Sequence, residues 1–337
     1  MKKILVTGGA GYIGSHTLVE LSLNNFYPII VDNLCNTSIK NIKGAEKIIG
    51  KRIPFYNVDC TNEKALNDVF EQEKNIEGVI HFAAYKSVEE SVREPEKYHS
   101  NNIGSLKVLL DLMKKHKLEN IIFSSSCSVY GSPDVLPVCE SAPFKKAESP
   151  YAETKQICEE LLNNTDINVI SLRYFNPIGF HESGLIGDYS SDNANNLIPI
   201  ITEAAIGIRD KIIIYGDDYD TKDGTCVRDY IHVVDLANAH VKALEYIRKN
   251  KGKSIFNIGT GNGISVRQAI KIFEKVNKIK LNYKIGPRRV GDIEKIYSDN
   301  TLSKEKLRWK TKKTIEDAMK SAWNWKKISL KKNFSEF

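Results

Sequence analysis

Up to about residue 175 the chain alternates short apolar runs with stretches of helical period. The runs at 3–7, 28–32, 55–59, 78–83, 120–125 and 169–174 predict strands. The segments at 12–24, 63–74, 95–116 and 150–164 predict helices between them. Strands that alternate with helices imply a parallel, doubly wound sheet. Val79-Ile80-His81-Phe82-Ala83 and Ile121-Ile122-Phe123 suit central strands covered on both faces. Past Asn176-Pro177 the pattern shifts, and loops at 181–196 and 216–225 are rich in Gly, Asp, Asn and Ser. Helices are expected there near 194–207, 233–249 and 266–276, and strands near 211–215 and 254–258. The expected architecture is α/β: a Rossmann-type sheet domain over 1–175 and a smaller mixed α/β lobe over 176–337. The border is soft, and lobe segments can return to the sheet.

Composition narrows this picture. The 337 residues, 41% of them hydrophobic, allow an ample core. No apolar run reaches the ~20 residues of a membrane helix. The first seven residues are too quickly interrupted by glycine to serve as a secretion signal, so a cytoplasmic protein is expected. Net charge is +7, with lysines clustered late, at 310–313, 326–327 and 331–332. That surplus suits a solvated surface or a small phosphorylated ligand. No zinc-finger spacing or aromatic-basic motif supports nucleic acid. The six cysteines show no CxxC and no metal-ligand spacing, so free thiols and no metal are expected.

Gly8-x-x-Gly11-x-x-Gly14 follows a strand and opens an amphipathic helix. There glycine allows a tight turn and close approach of a pyrophosphate to a helix N-terminus. Asp32 ends the second strand, about 20 residues on, where a carboxylate binds ribose hydroxyls and repels a 2′-phosphate. The pair favours NAD over NADP. Asp59 either meets the adenine edge or caps the helix after it. His81 reads as a core histidine. Phe82, Ala83, Ala84 and Lys86 follow at the strand end, the edge where such sheets bind ligands.

Tyr151 and Lys155 lie one turn apart on a predicted helix face, roughly 6 Å along the axis. A Tyr working as a base near neutral pH needs its value of ~10 lowered by ~3 units. Lys155, an oxidised nicotinamide and the helix N-terminus all favour the phenolate. Ser126, at the end of the 120–125 run, becomes a third member beside such a Tyr. Arg173, Arg228, Arg288 and Arg289 are candidates to hold a diphosphate.

Together these residues resemble the extended short-chain dehydrogenase/reductase family, in its UDP-hexose 4-epimerase branch. The resemblance runs from residue 1 to about 327. It rests on the segments 6–17, 32–36, 79–86, 123–126, 149–151, 172–177, 195–197, 223–233 and 287–292. It implies reversible 4-epimerisation of UDP-glucose and UDP-galactose through a 4-keto sugar, with NAD as hydride shuttle. Tyr151 would be the acid/base, Lys155 its tuner and Ser126 the partner of the 4-oxygen. Cofactor contacts would come from Tyr12, Ile13, Asp32, Asn33, Leu34, Cys35, Asn36, Thr37, Asp59, Cys60, Phe82, Ala83, Ala84, Lys86, Asn101 and Phe175, with the three glycines. Lys86, Asn176, Asn196, Leu197, Tyr215, Arg228, Arg289, Asp292 and Ile296 would face the nucleotide sugar. Ile296 would lie beside the sugar and admit N-acetylated UDP-hexoses weakly. A homodimer through 95–116 and 150–164 is implied. The rivals are another NAD-dependent nucleotide-sugar epimerase or dehydratase, and a non-catalytic NAD-binding regulator. Ser126 is followed by Cys127-Ser128, without the acidic pair a 4,6-dehydratase needs. Intact Tyr151 and Lys155 disfavour the regulator.

Overall fold

The computed structural model describes residues 2–189, 196–289 and 291–334. Its strands are β1 (Lys2–Thr7), β2 (Phe26–Val31), β3 (Phe55–Tyr56), β4 (Ile76–His81), β5 (Asn120–Ser126), β6 (Asn168–Tyr174), β7 (Asn176–Ile178), β8 (Ile212–Tyr215), β9 (Val227–His232), β10 (Lys253–Ile258), β11 (Gly263–Ser265), β12 (Tyr283–Gly286) and β13 (Lys295–Ile296). Seven of them form one parallel sheet in the order β10-β6-β5-β4-β1-β2-β3. Every residue of β6 is buried, as a strand covered on both faces requires, although Asn168, Ser171 and Arg173 interrupt its apolar run.

The helices are α1 (Tyr12–Leu23), α2 (Ile39–Ile49), α3 (Glu63–Gln72), α4 (Val88–Arg93), α5 (Pro95–Tyr98), α6 (Gly104–Lys115), α7 (Pro150–Asn163), α8 (Leu197–Ala205), α9 (Val233–Ile247), α10 (Val266–Asn277), α11 (Thr301–Lys306) and α12 (Ile315–Phe334). Local chemistry sets several starts. Ser149 caps α7 by accepting from Ala152 N–H, with Pro150 in the first turn. Ser265 and Gln268 close a capping box on α10. One apolar layer, including Leu18, Ile30, Leu172 and Leu244, covers one sheet face under α1, α2 and α9. Another, including Leu5, Val79, Leu109 and Leu162, covers the opposite face under α3, α6 and α7.

Three differences from the sequence pattern have local causes. The run at 55–59 pairs only as far as Tyr56, because Asp59 turns the chain by accepting from Thr61. Segment 95–116 is not one helix: α5 passes through a π turn (His99–Ile103) into α6. There the Asn102 side chain bonds both backbone groups of Tyr85 and the Thr154 hydroxyl. Segment 33–54 holds α2, capped by Ser38 and ended by Gly50 in the left-handed conformation. The soft border allows lobe segments in the sheet, and β10 does return from the second half of the chain to flank β6.

The rest of that half forms two small sheets, β11-β9-β13 with β7 on β9, and β12-β8. They share a core of Ile201, Ile214, Phe273 and Met319 with α8, α10 and α12. The expected start of α8 near 194 lies outside the described residues, as do Asn195 and Val290 of the quoted segments. Among the described residues, no helix is long and apolar enough to cross a membrane.

Candidate active site

All seven sheet strands run parallel, so their carboxyl ends share one edge. A cleft of about 790 Å³ opens there, between that edge and the small sheets with α8 and α12. One end of it is made of backbone. Gly8 has φ +69°, and a Cβ on it would sit 2.7 Å from Ala83 N. A Cβ on Gly14 would meet Gly9 Cα at 2.8 Å and strike the Gly8 carbonyl. The turn therefore admits only glycine at these two positions. Gly11 begins α1 without a side-chain cap, so the first turn, Tyr12 to Gly14, faces the cleft. Asp32 accepts from Ala10 N–H at 3.0 Å and Leu34 N–H at 2.9 Å, tying the turn to the end of β2. Burial raises its pKa, against those two bonds.

Asn33 donates to Asp59 at 2.8 Å. Burial works to raise the Asp59 pKa, but bonds from Thr61 and Asn33 prevail and lower it. Asn62, not Asp59, caps α3. Cys35, Asn36, Cys60, Phe82, Ala84 and Asn101 also line this end. Thr37 lines it while its hydroxyl holds the Ala10 carbonyl at 2.7 Å. Lys86 pairs with Asp188 at 3.1 Å. His81 is buried, bonded to Thr7 at 2.7 Å and held neutral, its pKa pushed down to about 3 by burial and by Lys155.

At the middle of the cleft stand Tyr151, Lys155 and Ser126. Ser126 lowers the pKa of the phenol, yet burial outweighs it and pushes the value up to about 12. Lys155 Nζ lies 5.9 Å from the Tyr151 ring centre and donates to the Ser124 carbonyl at 2.6 Å. Burial brings Lys155 down to about 8. The expected phenolate is thus not set by Lys155 in the protein alone. Its ammonium donates to a strand carbonyl and stands beside the phenol ring.

The far end is built from side chains. Arg289 donates to Asp292 at 2.7 Å, and Arg228 stands 3.9 Å from the same carboxylate. Arg289 also covers the Tyr215 ring at 5.6 Å. Asn176 Oδ1 is buried and has no hydrogen-bond partner among the described residues. Phe175, Asn196 and Leu197 complete the wall.

Two expected contacts do not reach the cleft surface. Leu34 contributes only its N–H to Asp32, while its side chain packs into the core. Ile296 is 2% exposed and packs with Phe175, Val129 and Tyr130, one layer behind the wall. Two expected diphosphate arginines are elsewhere. Arg173 is buried against Glu159 at 2.7 Å, and Arg288 pairs on the surface with Asp218. Asp188, Tyr189 and Trp325 line the cleft unforeseen. They come from a loop and a late helix that carry no motif of their own.

A glycine cradle, a carboxylate at the end of β2 and a buried Tyr–Lys pair on one cleft define an NAD-dependent α/β enzyme. Residues 4–259 match the family model described as the NAD dependent epimerase/dehydratase family, and the chain belongs to that family. It is 46% identical over 333 residues to the UDP-glucose 4-epimerase of Pasteurella multocida, covering 97% of this chain and 98% of that one. The fold superposes with TM-score 0.95 and 38% identity on the UDP-glucose 4-epimerase of Stenotrophomonas maltophila with bound NAD and formylated UDP-arabinopyranose, covering 98% and 99% of the two chains. It superposes with TM-score 0.93 and 42% identity on that of Bifidobacterium longum in complex with NAD+ and UDP, covering 98% and 99%.

Proposed function

We propose that this chain reversibly epimerises UDP-glucose and UDP-galactose at carbon 4, through a transient 4-keto sugar and with NAD as hydride shuttle. One observation carries the reading: the glycine cradle, the Tyr151–Ser126 pair and the Arg228–Arg289 end open into a single cleft. The cradle fits NAD because a Cβ at Gly8 or Gly14 would fill it, and Asp32 would repel a 2′-phosphate. When bound, NAD supplies a reversible two-electron acceptor and the positive ring charge that the buried phenol lacks. Tyr151 takes the proton of the sugar 4-hydroxyl and gives it back after the sugar turns over. Ser126 bonds the 4-oxygen, and Lys155 holds the nicotinamide ribose beside the phenol. Arg228 and Arg289, kept in place by Asp292, bind the diphosphate. The unpartnered Asn176 Oδ1 accepts from the sugar. NAD binding belongs mainly to 1–175 and the UDP-sugar to 176–337. The chain acts in the cytoplasm as a homodimer through α6 and α7, whose Val108, Leu110, Ile157 and Leu161 are only half-buried here.

Incubation with UDP-galactose should yield UDP-glucose, and acid extraction should release one NAD per subunit. Loss of water from the sugar would point to a dehydratase. NADP in the extract, or no nucleotide at all, would overturn the cofactor assignment.

A further inference from the structure

Three consecutive serines end β5, and each meets a different turn of α7. Ser126 acts on the Tyr151 phenol and lowers its pKa, the Ser124 carbonyl accepts from Lys155 Nζ at 2.6 Å, and the Ser125 hydroxyl donates to Glu159 Oε1. Tyr151, Lys155 and Glu159 are spaced by four, so they form one stripe on the helix. Glu159 is 1% exposed and would be costly to bury alone. Arg173 on β6 grips it from the other side, through Nε at 3.0 Å and an Nη at 2.7 Å. Arg173 is itself fixed by the Glu140 carbonyl and by the Tyr130 and Phe144 rings. Neither residue of the pair lines the cleft.

We propose that Glu159, clamped by Arg173 and Ser125, is a positioning residue that fixes the place and the charge of Lys155 beneath Tyr151. The proposal rests on the reading that Lys155 serves Tyr151. The groups facing Lys155 are few. On α7 they are Tyr151, Cys158 and Glu159. From β4 comes His81, held neutral by burial. From β5 come the Ser124 carbonyl and the Phe123 ring. From β6 come Arg173, behind Glu159, and the Tyr174 phenol, kept protonated by burial. Glu159 and Cys158 work against the burial that lowers Lys155 to about 8. With Glu159 neutral, Lys155 sheds its proton at lower pH, and activity that needs the ammonium falls off earlier as pH rises.

The test is kcat against pH for the wild type, Glu159→Gln, Glu159→Asp and Ser125→Ala, each with its NAD content measured. In Glu159→Gln the alkaline limb should move down by about one pH unit, with KM for UDP-galactose within about twofold. Glu159→Asp keeps the charge but draws it back, so kcat should fall several-fold with the limb unmoved. Ser125→Ala should behave like Glu159→Asp, more mildly. If Glu159→Gln does not fold, Glu159→Met with Arg173→Met removes both charges at once, and a smaller downward shift is expected, since no unpaired guanidinium is left behind. A folded, NAD-loaded Glu159→Gln or double variant with an unmoved limb would overturn the proposal. So would wild-type kcat in both Glu159→Asp and Ser125→Ala. Failure of the underlying reading shows separately, as near-normal turnover in Tyr151→Phe.

Discussion

The two ends of the cleft hold their ligands by different means. The end at α1 is backbone: a glycine turn, a helix start and one buried carboxylate, locked together by bonds from Ala10 and Leu34. The end at Arg228 and Arg289 is side chain: two guanidiniums share Asp292, and Tyr215 is 39% exposed. A backbone site loses no side-chain freedom when it is occupied, whereas each long side chain ordered on binding costs about 0.5–1.5 kcal/mol. The first arrangement suits a cofactor that stays through every cycle. The second suits a substrate that enters, turns its sugar over and leaves.

Substitutions at the seam and at either end should separate these behaviours. Tyr151→Phe should lower kcat by ~10²–10⁴-fold, the usual scale of general acid–base catalysis, while NAD and UDP still bind. Near-normal turnover would move the base elsewhere. Arg289→Ala should raise KM for UDP-galactose roughly tenfold to a hundredfold, the worth of a charge-assisted bond, and leave NAD content alone. Gly14→Ala should do the reverse: chains emerge depleted of NAD, yet calorimetry still detects UDP. NAD lost in Arg289→Ala, or retained in Gly14→Ala, would erase the distinction.

The protein should also be acid-sensitive. Burial drives His16, His81 and His240 down to about 3 and His232 to about 4, so the unfolded chain takes up their protons first. Their stabilisation is complete above the unfolded value of ~6.5 and is lost as pH falls toward 3. Asp32 and Asp235, whose values burial raises, offset part of that loss. Urea midpoints should therefore be lower at pH 5 than at pH 7, and equal midpoints would refute this. The smallest effect is expected at Ile296. Because it stands behind Phe175, Ile296→Val should cost ~0.5–1.5 kcal/mol of stability. The ratio of kcat/KM for UDP-N-acetylglucosamine over UDP-glucose should change less than about threefold. A larger change would restore Ile296 to the wall of the sugar site.

What could be read from the sequence follows the same divide. Gly8, Gly14, Asp32, Tyr151 and Lys155 each act within a strand–turn–helix unit or a single helical turn, so spacing along the chain reports them. The strands from β1 to β6 are visible for the same reason, since their apolar runs are local. Arg173 was not legible as an ion-pair residue. Its character depends on Glu159, 14 positions earlier and one layer away, and sequence does not report which arginine is buried. Asp188 and Trp325 reach the cleft only through the packing of loops and α12. Ile296 has the right neighbours in sequence but ends one layer too deep. The short strands β9, β11 and β13 pair across long separations, so no local pattern marks them.

The return of β10 to the sheet governs how this chain can be divided. The polypeptide crosses from sheet to lobe after β6, comes back through α9 and β10, and crosses again before β11. The two halves of the cleft are stitched rather than strung. A nick between β6 and β9 would leave both pieces gripping each other. A gene truncated after residue 175 would expose the edge of β6 that β10 covers, from Val169 to Tyr174, with its outward backbone groups unpaired, an open invitation to strand-mediated aggregation. Any attempt to swap in a different sugar lobe therefore has to carry α9 and β10 along with the parent sheet, and splice on either side of them.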